Sequence, residues 1–192
     1  MAKQILLAGV LGGIALFVWG GLAHQVLGLG SVGVQTLPQQ QPVMDALKAA
    51  SPASGFYYFP QADASGRVAP EKAGGPAGVL IYQSGGAGKP LTGQLLNEGF
   101  LNIVLALFAA SLLSLASGLT SYVARVGFVT LLGVPVALMS NVESWNWYGY
   151  PLNYTAATIL ENLIGFLVVG LVAAAFVKPA GQRITAVPAK AA

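Results

Sequence analysis

Residues 5–23 read ILLAGVLGGIALFVWGGLA, nineteen positions without a charge behind Lys3. At 1.5 Å per residue a helix of that length matches a hydrocarbon layer about 30 Å thick. The apolar core is also longer than the ~7–15 residues of a secretory signal, and a single Lys is a poor charged leader, so a retained transmembrane helix is expected. Gly9, Gly13, Gly20 and His24 recur at steps of four, seven and four, which puts them on one helical face. Gly9 with Gly13 forms a small-xxx-small step where another backbone can approach closely. That face is expected to look inward, with His24 at its outer end.

The rest of the chain agrees with a membrane class. Hydrophobic residues make up 55% and charged residues 8%, with 25 Gly, and mean hydropathy is +0.70, which excludes an ordinary water-soluble domain. With no Cys and one His, neither a disulfide framework nor a metal centre is expected, and no cofactor is implied. The net charge of +3 is explained by topology, not by a nucleic-acid partner.

Residues 27–96 change character, being punctuated by Gly and Pro and polar at Gln39–Gln41. They predict an extracytoplasmic segment with a short helix over Pro42–Ala50 and two strands, Gly55–Pro60 (GFYYFP) and Gly78–Gln83 (GVLIYQ), able to pair antiparallel. Phe56 to Phe59 are expected to pack on a helix or rest at the membrane interface. Gly85–Lys89 lacks the spacing of a phosphate loop and reads as a linker.

Residues 97–178 hold three more spans, Gly99–Ser117, Tyr122–Ser140 and Ala156–Val177. Thr92 is the expected cap of the second. Gln94, Glu98 and Asn102 follow at four-residue steps as a polar stripe, with Ala106, Ala110 and Ser114 as a small-residue continuation. A Gly118–Ser121 link joins it to the third span, where Arg125 is expected to extend its head to the interface and Pro135 to kink the helix. Lys178–Pro179 ends the fourth span, and 179–192 reads as a disordered cytoplasmic tail. The expected fold is therefore an all-α membrane protein, a four-helix bundle with a small α+β insertion between the first two helices.

The most specific stretch is 141–162, NVESWNWYGYPLNYTAATILEN, with two Trp, three Tyr, two Glu and four Asn. It reads as an aromatic loop running into a helix that carries Glu161 and Asn162 past the membrane boundary. Trp145, Trp147, Tyr148 and Tyr150 form a candidate interface or binding loop. With Thr158 and Gly165 on the same face as Glu161 and Asn162, five further polar groups, His24, Glu98, Asn102, Glu143 and Asn162, are expected to gather with Glu161 beneath that loop. Glu161 is the best-placed partner for His24, within about 10 Å. Ionisable groups in a membrane are a functional hypothesis by default, although hydrogen-bonding of helix ends would explain them equally.

The Gly-rich first helix leading into HQVLGLG, then GFYYFP, GVLIYQ and NVESWNWYGYPLNYT, resembles bacterial inner-membrane proteins of four spans built on a domain of unknown function. The resemblance implies the architecture and carries no activity, cofactor or catalytic residue. A transporter is disfavoured, because the middles of the four helices are nearly free of polar residues and no inverted repeat is visible, which leaves two functional classes. One is a non-catalytic accessory or binding subunit, whose partners are the bilayer and a membrane protein or a second copy. The other is a small membrane enzyme or ligand carrier using the His–carboxylate cluster.

Lys3, Arg125, Lys178, Arg183 and Lys190 fall on one side in this arrangement, and none of the six acidic residues does, which puts both termini in the cytoplasm. Cysteines introduced at Ser65 and Trp147 should therefore react with an impermeant reagent in intact cells, and those at Ser121 and Ala189 only after permeabilisation. Protection of Ser65 would reverse the topology.

Overall fold

The computed structural model describes residues 1–50, 53–60, 75–85 and 90–179. Positions 86–89 of the linker, the charges Asp63, Glu71, Arg183 and Lys190, and the tail from 180 onward lie outside the described residues. Helices α1 (Ala2–Gln25), α3 (Leu91–Leu115), α4 (Tyr122–Tyr148) and α5 (Leu152–Phe176) are long and apolar enough to cross a membrane, with mean hydropathies of 2.2, 1.9, 1.8 and 2.2. Between α1 and α3 stand a 3-10 turn (Leu29–Ser31), helix α2 (Gln40–Ala50) and strands β1 (Gly55–Phe59) and β2 (Gly78–Tyr82). The strands pair antiparallel with Phe56 opposite Ile81 and Tyr58 opposite Val79.

Helix α1 packs on α3 and α5, and α5 packs on α4, with α3 closing the middle against α5. The core along these seams is built of small residues: Ala8, Ala106, Ala109, Ala110, Val129, Val169, Ala173 and Ala174 are all buried. Leu6, Leu11, Ile14, Val18 and Leu22 of α1 point outward, as lipid-facing residues do. Helices in lipid gain nothing from hiding Leu from Leu, so closeness of backbones decides which faces meet. Gly9 and Gly13 supply it in α1: a Cβ at Gly9 would overlap Leu107, and one at Gly13 would run into the Ile103 backbone. Gly133 lies under the Phe166 ring, and Gly170 abuts the Val126 carbonyl. Gly20, expected on the same packed face, has nothing within 4 Å.

Three boundaries differ from the sequence expectation. Helix α3 begins directly after Pro90, two residues before the Gly93 that would follow a Thr92 cap, and its cap position has no side-chain hydrogen bond. Thr92 is therefore inside the helix and caps nothing; Pro supplies a preset φ and the first helical residue follows it. Helix α4 runs on through Tyr148, so Asn141–Tyr148 is helical and the loop shrinks to Gly149–Pro151. Its polar residues are absorbed by the helix itself: Ser140 donates to the Val136 carbonyl, Asn141 to Ala137 and Ser144 to Ser140. The helix stops where Gly149 adopts a left-handed conformation, φ 71°. Helix α5 then starts at Leu152 instead of Ala156, which puts Glu161 about 13 Å along it, nearly twice the expected distance from the helix start.

Arg125 also departs from expectation. It is 8% exposed, and instead of extending to the interface it donates from Nη1 to the Val177 carbonyl at 2.6 Å and from Nε to Ser121 at 3.4 Å. A cation at the C-terminus of α5 offsets the partial negative charge of carbonyls that have no helical partner.

Replacing Gly13 by Val should be the most damaging single change in the α1–α3 seam, because the obstacle is backbone and cannot rotate away. A loss of about 1–3 kcal/mol or more is expected in denaturant titration of the protein in mixed micelles. Gly20→Val, with open space around it, should be near neutral, and equal losses at both positions would contradict the seam.

Candidate functional site

His24 and Glu161 meet where the last turn of α1 lies beside α5, His24 Nε2 lying 3.0 Å from Glu161 Oε1. Side chains on a helix lean toward its N-terminus. Helices α1 and α5 run antiparallel, so His24 leans down into the bundle and Glu161 leans up toward the boundary. This is how a carboxylate whose backbone is well inside α5 reaches a histidine on the last turn of α1. The pair is graded in exposure, 52% for the His24 side chain and 18% for Glu161. His24 lies in the last turn of α1.

The pair is buttressed from both sides. After Gln25 the chain turns back through Gly28, at φ 67°, and Gly33, at φ 76°. This brings Gly30 against the histidine ring, where a Cβ would overlap Nδ1. Gly33 is held at Asn153 and Tyr154 of α5, a Cβ there falling 2.8 Å from Asn153 Oδ1. Below the pair, Trp19 donates from Nε1 to the backbone carbonyl of Glu161 at 3.0 Å. That carbonyl faces the position one turn on, Gly165, and a glycine there leaves it open; a Cβ on Gly165 would come 3.5 Å from Trp19 Cδ1 and 2.8 Å from Leu16. Glu161 is thus gripped twice by α1, through its side chain by His24 and through its backbone by Trp19.

The other expected members of the cluster are distributed differently. Asn102 is buried on α3, and Asn162 is half-buried beside Glu161 on α5. Glu98 and Glu143 are exposed, and Glu161 alone of the three carboxylates pairs with His24. Asn102 is buried in the bundle while Glu98, one turn nearer the start of α3, is exposed. Among the described residues no three His, Cys, Asp or Glu side chains come together as a metal would require. Thr155 Oγ1 is buried with no hydrogen-bond partner.

The aromatic residues expected as a loop occupy the last turns of α4 and the short link into α5. Tyr148 receives the hairpin: the Phe56 ring lies 5.8 Å and the Tyr58 ring 6.2 Å from it, with Phe56 and Tyr58 edge-to-face at 5.1 Å. Slight desolvation, then the Tyr148 hydroxyl, holds the Tyr58 phenol above the usual tyrosine range. Tyr150 packs edge-on against Tyr154 at 5.5 Å. Trp145 and Trp147 project outward, 45% and 72% exposed. Sequence reasoning reached His24, Glu161 and Gly165 but missed Trp19 and Gly30, whose roles depend on a backbone carbonyl and on a chain reversal that leave no periodic signal.

No protein-family model, curated protein or solved structure matches this chain.

The His24–Glu161 contact should show itself in a double-mutant cycle. His24→Ala and Glu161→Gln are each expected to lower stability by about 1 kcal/mol or more, and the double variant to cost less than their sum by about 0.5 kcal/mol or more. Strict additivity in reversible unfolding would mean that the two side chains do not act as a pair.

Proposed function

We propose that this chain is an integral protein of the bacterial inner membrane, with both termini cytoplasmic, serving as a non-catalytic accessory or binding subunit of a membrane complex. The observation that supports this reading is the outer module. Two strands alone are marginal in water. Among the described residues this hairpin gains only Tyr148 as a ring partner, while Phe56, Tyr58 and Ile81, which share one face, remain 49%, 55% and 66% exposed. Helix α2 has no buried residue at all. An apolar face of this kind, carried on a rigid bundle and unfilled by its own described residues, fits completion by another protein. The glycine seams supply rigidity, and the paired His24 and Glu161 fasten the outer ends of the helices beneath the module.

A second reading has one observation in its favour: the half-exposed imidazole of His24, bonded to a carboxylate, is placed as an acid–base pair of a small membrane enzyme or ligand carrier would be. The two readings separate in one experiment. A photo-crosslinking residue at Ile81 in the full-length tagged chain, followed by purification in mild detergent and mass spectrometry, should trap one polypeptide stoichiometrically. Phe56→Ser should abolish the crosslink and His24→Ala should leave it. A bound small molecule with no crosslinked protein, lost on His24→Ala, would replace the accessory reading by the enzyme or carrier.

A further inference from the structure

Helix α4 buries Val126, Val129, Gly133 and Ala137 and turns a different face to its surroundings. On that face Pro135, Leu138, Met139, Val142 and Glu143 line a shallow apolar recess of about 460 Å3. Proline inside a helix lacks the N–H that would bond the carbonyl four residues back and crowds the preceding turn, which opens the surface there. The walls above it are open to the surroundings: Leu138 is 45%, Met139 77% and Val142 40% exposed.

Depth gives the recess a chemical polarity. Glu143 stands about 30 Å along α4 from Tyr122, the thickness of the hydrocarbon layer. Its carboxylate is then at headgroup level, and the Pro135–Val142 recess is at acyl-chain level directly beneath. Trp147 follows Glu143 by four residues, on the same face and one turn further out. A recess for hydrocarbon, a carboxylate at its mouth and an exposed indole just above make the three parts of a site for an amphiphile with a cationic head.

The carboxylate calls for a charge-assisted N–H donor, and the indole face attracts a cation. A primary ammonium satisfies both; a quaternary ammonium brings the charge without N–H donors, and an anionic head is repelled. A partner helix fits the face less well, because the helix seams of this protein are made where glycine lets backbones touch, whereas Leu138, Met139 and Val142 are long or branched and hold a neighbour at a distance. We propose that the Pro135–Trp147 face of α4 binds a phospholipid of the ethanolamine type, its acyl chain in the recess and its ammonium between Glu143 and Trp147. This site is independent of the hairpin face and stands or falls separately from the accessory reading.

Native mass spectrometry of the full-length protein, with phosphatidylethanolamine, phosphatidylcholine and phosphatidylglycerol of identical acyl chains in competition, tests it. Phosphatidylethanolamine should be retained roughly fivefold or more over either competitor, a difference of about 1 kcal/mol. Glu143→Gln should erase that preference, and Met139→Trp, which fills the recess, should lower retention of all three lipids. Both positions are exposed, so the variants should melt as the parent does. Equal retention of the three lipids by the parent, or an unchanged preference in Glu143→Gln, overturns the proposal. So does a Met139→Trp variant that keeps its lipid and instead loses a bound polypeptide, since the face would then belong to a helix.

Discussion

Closeness of backbones is the constraint on which the rest of this protein depends. Between helices surrounded by hydrocarbon, burying apolar area gives no advantage over contact with lipid, and packing is decided by van der Waals fit. Gly9 and Gly13 let α1 lie on Leu107 and Ile103, while Gly133 and Gly170 do the same between α4 and α5. Because Gly12 lies between them, facing Ala106 of α3 and Val169 of α5, one helix surface built from GVLGG locks two neighbours at once.

That closeness is what makes the polar contacts short and strong. The Trp19 indole reaches the Glu161 carbonyl beside Gly165, and the Arg125 guanidinium closes the end of α5 at Val177. Trp19 bonds Glu161 on the third turn of α5 and Arg125 bonds Val177 at its C-cap, so that helix is tied at two levels to different neighbours, α1 and α4. In a medium of low dielectric such bonds are costly to break because neither partner finds water in exchange. The His24–Glu161 pair adds a third tie at the level where water returns.

How much of this was legible obeys the same division. Helix number and the α1 glycine face were readable because hydropathy and four-residue spacing are local to one segment. The pairing of the strands was readable from their Gly and Pro punctuation, and the closeness of His24 to Glu161 from topology together with helical faces. Helix ends were not, since Asn141, Ser144 and Trp145 look like a loop until Ser and Asn side chains return to the carbonyls four residues back. The same limit hid Arg125, whose partner is a main-chain oxygen 52 positions away, a relation invisible to any pattern of side chains.

The misplaced start of α5 bears most directly on the chemistry. With the helix beginning at Ala156, Glu161 would stand on the second turn of α5. Beginning at Leu152, the same residue has its backbone well within the bundle, 18% of its side chain is exposed, and only the outward lean of that side chain brings the carboxylate to His24. A mostly buried carboxylate needs a hydrogen-bond donor, which His24 is placed to supply. The two glycines that turn the chain back over the imidazole, Gly28 and Gly33, are therefore part of the same device as Glu161. They close the loop that brings Gly30 onto His24, and they do so from outside the membrane helices whose ends the pair holds together.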